Sequence, residues 1–300
     1  MTDDLFAPLG QRRKVSANGI DFEVWESGAG EKFALFLHGF PEHAISWRFQ
    51  APLLASLGYR VWVVNQRGYG GTTTPAEKSA YSLKNLTEDV GALIDAAHAE
   101  KPTTSTTLIA HDWGALVAWT FAARKMRPLE RLIICNVPHP LCFKREYARN
   151  PKQKKKSWYT RFFQIPLLPE MLLGRKGGAP IAKMLRDTSA NRANFPREIL
   201  SIYAANAARP GGIRGMINWY RCAMNDLMAA TDLGGVIEVP TLICWGEKDV
   251  ALEVSTLEGT DQYVRDVKIV RLPKASHWVQ QDAPEEVNAA IKAFLAPAAA

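Results

Sequence analysis

Cysteine is scarce in this chain of 300 residues: Cys135, Cys142, Cys222 and Cys244 are scattered, with no CxxC pair among them. That spacing argues against a disulfide framework and against thiolate metal sites. Three of the four lie in apolar runs, which reads as buried free thiols in a reducing compartment, so a cytoplasmic location is expected. Long hydrophobic runs are missing too. No stretch approaches the roughly 18 apolar residues that suggest a membrane span, so no membrane insertion is expected. The opening Met-Thr-Asp-Asp-Leu-Phe has neither the basic start nor the apolar core of a secretory signal. The chain shows no internal repeat and no nucleic-acid-binding motif.

What remains is ordinary globular material, 47% apolar and 22% charged, enough for one large α/β domain with a sizeable insertion or for two small domains. The net charge of +7 has a local source in Lys152, Lys154, Lys155 and Lys156, with Arg145 and Arg149 just before them. Without an accompanying motif, this basic run reads as a solvated face rather than a nucleic-acid or membrane footprint.

Short β-rich runs alternate with longer helical patterns, which predicts a mainly parallel sheet covered on both faces. Strands are expected at Phe33–Leu37, Val61–Asn65, Thr107–Ala110, Arg131–Cys135, Thr241–Trp245 and Val267–Leu272, each apolar enough for burial on both sides. Helices are expected at Ser46–Leu57, Ser82–His98, Trp113–Lys125 and Pro284–Leu295. A turn-like Asn18-Gly19 predicts an edge hairpin over Val15–Trp25. The closing Ala-Pro-Ala-Ala-Ala is expected to fray. Between about Pro138 and Asp232 the alternation stops. That stretch is helical, basic and aromatic, with breaks at Gly177-Gly178 and Gly211-Gly212. An insertion there falls on the carboxyl side of the sheet, where α/β folds place their sites. Residues 138–232 are therefore expected to form a helical cap inserted in a core of residues 1–137 and 233–300.

The chemistry centres on Ala110-His111-Asp112-Trp113-Gly114, between a strand-like run and a helix-like one. This is the context of a nucleophile elbow, with Asp112 in the slot that a serine often holds. A serine attacking a saturated carbon would form an ether and trap the protein. A carboxylate forms an ester that water can cleave, restoring Asp112. The residue type thus points to displacement at a carbon bearing a leaving oxygen or halogen. In hydrolases built on such an elbow the chain order is nucleophile, acid, histidine. Asp249 follows the strand Thr241–Trp245 and His277 follows the next. Singly, Asp249 reads as a loop-capping acid and His277 as a surface histidine; in this order they read as the pair that activates water. The backbone N–H groups of Phe40, in His38-Gly39-Phe40-Pro41-Glu42, and of Trp113 are the expected oxyanion donors.

Opening an epoxide also needs a donor facing the ring oxygen, and phenols stay protonated at neutral pH. Tyr159 and Tyr220 in the insertion are candidates; Tyr81, Tyr147 and Tyr203 rival them on composition alone. At these residues the chain resembles the epoxide hydrolases of the α/β-hydrolase fold, over nearly its whole length. His38–Glu42 is similar to their HGFPE segment, and His111–Gly114 to their nucleophile elbow, with Ala110 where Gly is more usual. Tyr159–Gln164 and Asn218-Trp219-Tyr220-Arg221 resemble the two cap motifs. Arg67-Gly68-Tyr69-Gly70 is also similar, although Gln66 stands where an acidic or other polar group is frequent, a departure expected to affect packing more than chemistry. The resemblance implies an α/β-hydrolase fold, ring-opening roles for Tyr159 and Tyr220, conversion of an epoxide to a vicinal diol, and no cofactor or metal. The expected partners are a small epoxide and water, not nucleic acid; an apolar pocket is expected to include Trp113, Trp158, Phe163 and Trp219. Monomer and homodimer are not distinguished.

Two other readings use the same residues. A haloalkane dehalogenase shares the Asp-Trp elbow, and Trp158 or Trp219 would then join Trp113 in cradling halide. A ligand-binding protein without activity would be expected to have lost Asp112, Asp249 or His277, and all three are present.

Overall fold

Runs rich in Val, Ile, Leu and Phe suit strands covered on both faces, and in the computed structural model, which describes residues 3–230 and 233–296, they pair into one eight-stranded sheet. The strands are β1 (Gln11–Ala17), β2 (Ile20–Ser27), β3 (Lys32–Leu37), β4 (Tyr59–Asn65), β5 (Ser105–His111), β6 (Arg131–Cys135), β7 (Thr241–Gly246) and β8 (Val267–Leu272). Their spatial order is β1-β2-β4-β3-β5-β6-β7-β8. β1 and β2 form the antiparallel edge hairpin, turning at Asn18 and Gly19 with φ of 48° and 70°, the positive values that a tight hairpin turn needs. From β4 to β8 every neighbouring pair is parallel.

Register aligns the carboxyl ends. Leu37 pairs with Ala110, His111 with Cys135, Cys135 with Cys244, and Gly246 with Leu272. Whatever follows these strands therefore emerges along one rim of the sheet.

Helices pack against the sheet. They include α2 (Ala51–Ser56), α3 (Leu83–Glu100), α4 (Trp113–Ala123), the short α12 (Val279–Asp282) and α13 (Pro284–Leu295), while the short α1 (Asp3–Phe6) precedes the first strand. Ser82 caps α3 by accepting the Asn85 N–H. Every residue of α4 is buried, which accounts for its apolarity all round. The single helix expected over Ser46–Leu57 is instead a 3-10 turn at Ala44–Trp47 followed by α2. A continuous helix would need a Pro52 N–H for the Arg48 carbonyl, and proline has none.

β8 is a second correction. Lys268, Ile269 and Arg271 are exposed, because β8 closes the sheet with a partner on one side only. Charged side chains on such an edge also discourage pairing with another chain.

Between β6 and β7 the chain forms, among the described residues, α5 (Pro140–Arg149), α6 (Pro151–Lys156), α7 (Trp158–Phe162), α8 (Leu168–Thr188), α9 (Arg197–Ala208), α10 (Gly212–Arg221) and α11 (Ala223–Ala229). α8 is broken at Arg175–Gly178, where the sequence carries its first glycine pair. Asp232, the expected end of the insertion, and residues 297–300 of the tail lie outside the described residues. No helix among the described residues is long and apolar enough to cross a membrane.

Candidate active site

β5 ends at His111 and α4 begins at Trp113, so Asp112 alone reverses the chain, with φ 47° and ψ −121°. A non-glycine residue held there costs roughly 1–3 kcal/mol and persists only where its surroundings impose it. The surroundings are two bare backbones. A Cβ on Gly114 would meet the Leu37 carbonyl oxygen at 2.5 Å, and one on Gly39 would meet Asp112 Cβ at 2.2 Å. Neither position has room for a side chain.

Asp112 Oδ1 accepts the Phe40 N–H at 2.6 Å. The other expected donor, the Trp113 N–H, lies at the first position of α4, where a helix offers its N–H no carbonyl. Burial pushes the Asp112 carboxyl upward, but the hydrogen bond and charge of His277, the His111 ring and the Phe40 N–H outweigh it. The net shift is downward, so Asp112 is a carboxylate at neutral pH.

His277 Nδ1 lies 2.7 Å from Asp249 Oδ2, and its Nε2 lies 3.5 Å from Asp112 Oδ2. Asp249 is itself clamped: its Oδ1 accepts the N–H groups of Ala251 and Leu252 at 2.7 and 2.8 Å. Burial opposes the charged imidazole, yet the Asp249 charge and the bond to Asp112 prevail, and His277 is pushed up to about 10.

Two cavities meet at this point. One, of about 360 Å³, is walled by Phe40, Trp158, Phe162, Phe163, Leu173, Met184 and Trp278 among others. The other, of about 50 Å³, is walled by Trp113, Leu116, Val137, Phe143, Met224 and Leu227 among others. Asp112, Tyr159, Tyr220 and His277 line both, so these four form the waist between them. Burial and the Asp112 charge raise both tyrosines further above their ordinary value, which keeps them phenols. Their rivals are occupied elsewhere: the Tyr81 hydroxyl donates to the Pro75 carbonyl and the Tyr203 hydroxyl to Gln281 Oε1, each at 2.9 Å, while Tyr147 lines neither cavity.

A family model described as alpha/beta hydrolase fold matches residues 35–284. Epoxide hydrolase 2 of Caenorhabditis elegans is 35% identical over 91% of this chain and 76% of its own length. The chain belongs to the epoxide hydrolases. Among solved structures, a Bacillus megaterium epoxide hydrolase in complex with an inhibitor matches with a TM-score of 0.86 at 29% identity, covering 94% of this chain and 99% of that one. A mutant of an epoxide hydrolase from that organism, complexed with its product (R)-3-[1]naphthyloxy-propane-1,2-diol, matches with a TM-score of 0.83 at 28% identity over the same shares.

The motifs of this epoxide hydrolase brace one another. Gln164 donates its side-chain amide to the Tyr220 carbonyl at 3.0 Å, and Arg221 donates to the Phe163 carbonyl at 2.8 Å. Each tyrosine is thus followed by a residue that ties it to the other tyrosine's helix. Gln66 donates its backbone N–H to His38 Nε2 at 3.3 Å and its side chain to the His38 carbonyl. Gln66 thus braces the His38 turn and lines neither cavity.

Trp113 and Phe163 line the cavities, as does Trp158, although it is 63% exposed. Trp219 does neither cavity's work. It is buried against Tyr69 and Trp113 and donates its indole N–H to the Arg67 carbonyl at 3.1 Å. Its expected place in the substrate pocket is corrected: the apolar stripe of α10 points Trp219 at the core, and its indole is not free to cradle halide.

Two supporting groups escaped the sequence reading. Asn136, one residue past β6, donates to Asp249 Oδ2 at 2.8 Å and accepts the Gly246 N–H at 2.6 Å. Its position at a strand's carboxyl end was the available signal. Glu42, fully buried, accepts from Gly39 N–H and the Gln280 and Gln281 amides at 3.0 Å, and from His111 Nδ1 at 2.6 Å. His111 Nε2 in turn donates to the His277 carbonyl at 2.9 Å, so Glu42 anchors the turn that carries His277.

Proposed function

We propose that this epoxide hydrolase converts an apolar epoxide to a vicinal diol through a covalent ester on Asp112. The reading rests above all on one juxtaposition: a carboxylate nucleophile and two un-ionised phenols lining the same waist. With Oδ1 held by the Phe40 N–H, Oδ2 attacks a ring carbon and the carbon–oxygen bond of the epoxide breaks. Tyr159 and Tyr220 hydrogen-bond the departing ring oxygen as charge develops on it. The ester removes the Asp112 charge, one of the causes that hold His277 high, so the imidazolium gives up its proton, which ends on the alkoxide left by ring opening, and His277 becomes free to act as a base. His277, oriented by Asp249, then takes a proton from the water that attacks the ester carbonyl. The N–H groups of Phe40 and Trp113 hold the resulting oxyanion; as it collapses the ester carbon–oxygen bond breaks, the departing oxygen takes the proton left on the Asp112 carboxyl, and the diol leaves with Asp112 a carboxylate and His277 protonated again.

Residues 138–232 act as the cap on a core of 1–137 and 233–300, a division supported by the cap's two tyrosines reaching the elbow. The unequal cavities favour an epoxide with a bulky apolar arm on one carbon and little on the other, Trp113, Trp158 and Phe163 contributing to the walls. Free Cys135, Cys142, Cys222 and Cys244 support a cytoplasmic setting.

The test is incubation of the purified protein with styrene oxide, an aliphatic epoxide and 1-bromobutane, assaying diol and free bromide. Diol without bromide is the expected result. Bromide without diol would replace this reading with a dehalogenase.

A further inference from the structure

The rim of the larger cavity carries a pattern that the chemistry at Asp112 does not use. Residues 151–176 hold seven Lys and Arg against one acid, Glu170, a net +6 in a chain of net +7. Glu170 is already paired with Arg221. Lys152, Lys154 and Lys155 are exposed, and among the described residues no ion pair neutralises them. The same segment exposes Trp158, Ile165, Leu167, Leu168 and Met171 by 63, 43, 67, 38 and 65%. Only eight large apolar side chains are so exposed among the described residues, and a sixth, Val250, shares the cavity wall with Trp158.

The segment supplies part of the cavity wall, from Lys156 to Leu173. Its Phe163 and Leu173 face inward, while Leu167 and Met171 face out. Arg221 fixes this turn through the Phe163 and Ile165 carbonyls. A solvated face, the expectation from sequence alone, accounts for the lysines but not for the apolar side chains among them. Clustered exposed apolar groups mark a contact surface. Lysines beside Trp, Leu, Ile and Met suit a bilayer, where cations meet anionic headgroups and apolar groups enter the acyl boundary. Nucleic acid would instead call for aromatic stacking platforms along a groove.

We propose that residues 151–176 dock the enzyme on anionic lipid bilayers, so that apolar epoxides dissolved in lipid pass directly into the larger cavity. This is adsorption to a surface, with no helix crossing the membrane. The delivery half rests on the epoxide hydrolase reading; the docking half does not.

The test is co-sedimentation with phosphatidylcholine vesicles, with and without phosphatidylserine, at about 0.1 M salt. Binding is expected to require phosphatidylserine and to weaken as salt rises. The combined Lys152→Glu, Lys154→Glu and Lys155→Glu variant should bind at least about 100-fold more weakly. Leu167→Ser with Met171→Ser should also weaken binding. Both variants should hydrolyse styrene oxide in solution like the wild type, yet lag on a long-chain alkyl epoxide held in the mixed vesicles. Absence of vesicle binding, including a preference for heparin alone, overturns the docking proposal. So does binding indifferent to lipid charge and to charge reversal. Equal turnover of the vesicle-held epoxide by all forms overturns delivery. Vesicle binding without any turnover of styrene oxide would leave docking standing and defeat the catalytic reading instead.

Discussion

His277 Nε2 stands 3.5 Å from Asp112 Oδ2, longer than the usual hydrogen bond. The imidazole is thus close enough to feel the nucleophile's charge and stands beside the ester that forms there, within reach of a water attacking it. His277→Gln should therefore let ring opening proceed and block hydrolysis. Intact-mass spectrometry after mixing with styrene oxide should find the protein heavier by one substrate. Asp112→Ala should give no adduct and lose diol formation by roughly 10⁴-fold or more; an adduct on that variant would remove Asp112 from its role.

The two phenols at the waist predict a graded loss. Tyr159→Phe or Tyr220→Phe leaves one donor for the ring oxygen and should slow ring opening by roughly 10–100-fold, and the double variant should be far slower. Pre-steady-state loss of epoxide is the measurement. Unchanged rates in both single variants would mean that other groups hold the oxygen.

Asn136 joins Asp249 to the end of β7. Its φ of 44° suits glycine, so Asn136→Gly removes the side chain without straining the backbone. The loss of buried hydrogen bonds should cost about 1–3 kcal/mol of stability. Asn136→Asp should lower kcat further by setting a second carboxylate beside Asp249. A stable Asn136→Asp variant with wild-type kcat would show that Asp249 needs no such support.

The proton on His277 links stability to pH. The folded protein holds it up to about pH 10, whereas an ordinary histidine loses it near 6.5. Protonation thus favours the folded state. Its contribution is complete below about pH 6.5 and is lost as pH rises through about 10. The melting temperature of the wild type should fall between pH 7 and 10 by several degrees more than that of His277→Gln. Parallel curves would place the imidazole near its ordinary range.

Much of the catalytic centre could be read from the chain because the chemistry depends on residue type. A carboxylate in the elbow of Asp112 dictates an ester on a saturated carbon whatever surrounds it, and Asp249 and His277 lie just past apolar strands in the order that such hydrolases use. The six runs expected as strands are strands, and in five of them burial on both faces accounts for the local apolar signature. That signature failed for β8, whose place at the sheet edge is set by its neighbours and not by its own residues. It failed also at Pro52, where a missing N–H outweighed an apolar pattern.

Other features depended on contacts between distant segments, which no local period records. Trp219 was expected in the substrate pocket, but its indole bonds a carbonyl 152 positions away. Asn136 finds Asp249 across 113 positions, and Glu42 gathers Gln280 and Gln281 across more than 200. The unequal cavities, and the meeting of lysines with exposed Leu and Met at one rim, arise the same way. The sequence by itself determined which bonds Asp112 can make and break; only the packing of the helices over the sheet decided what shape of molecule reaches it and from which side.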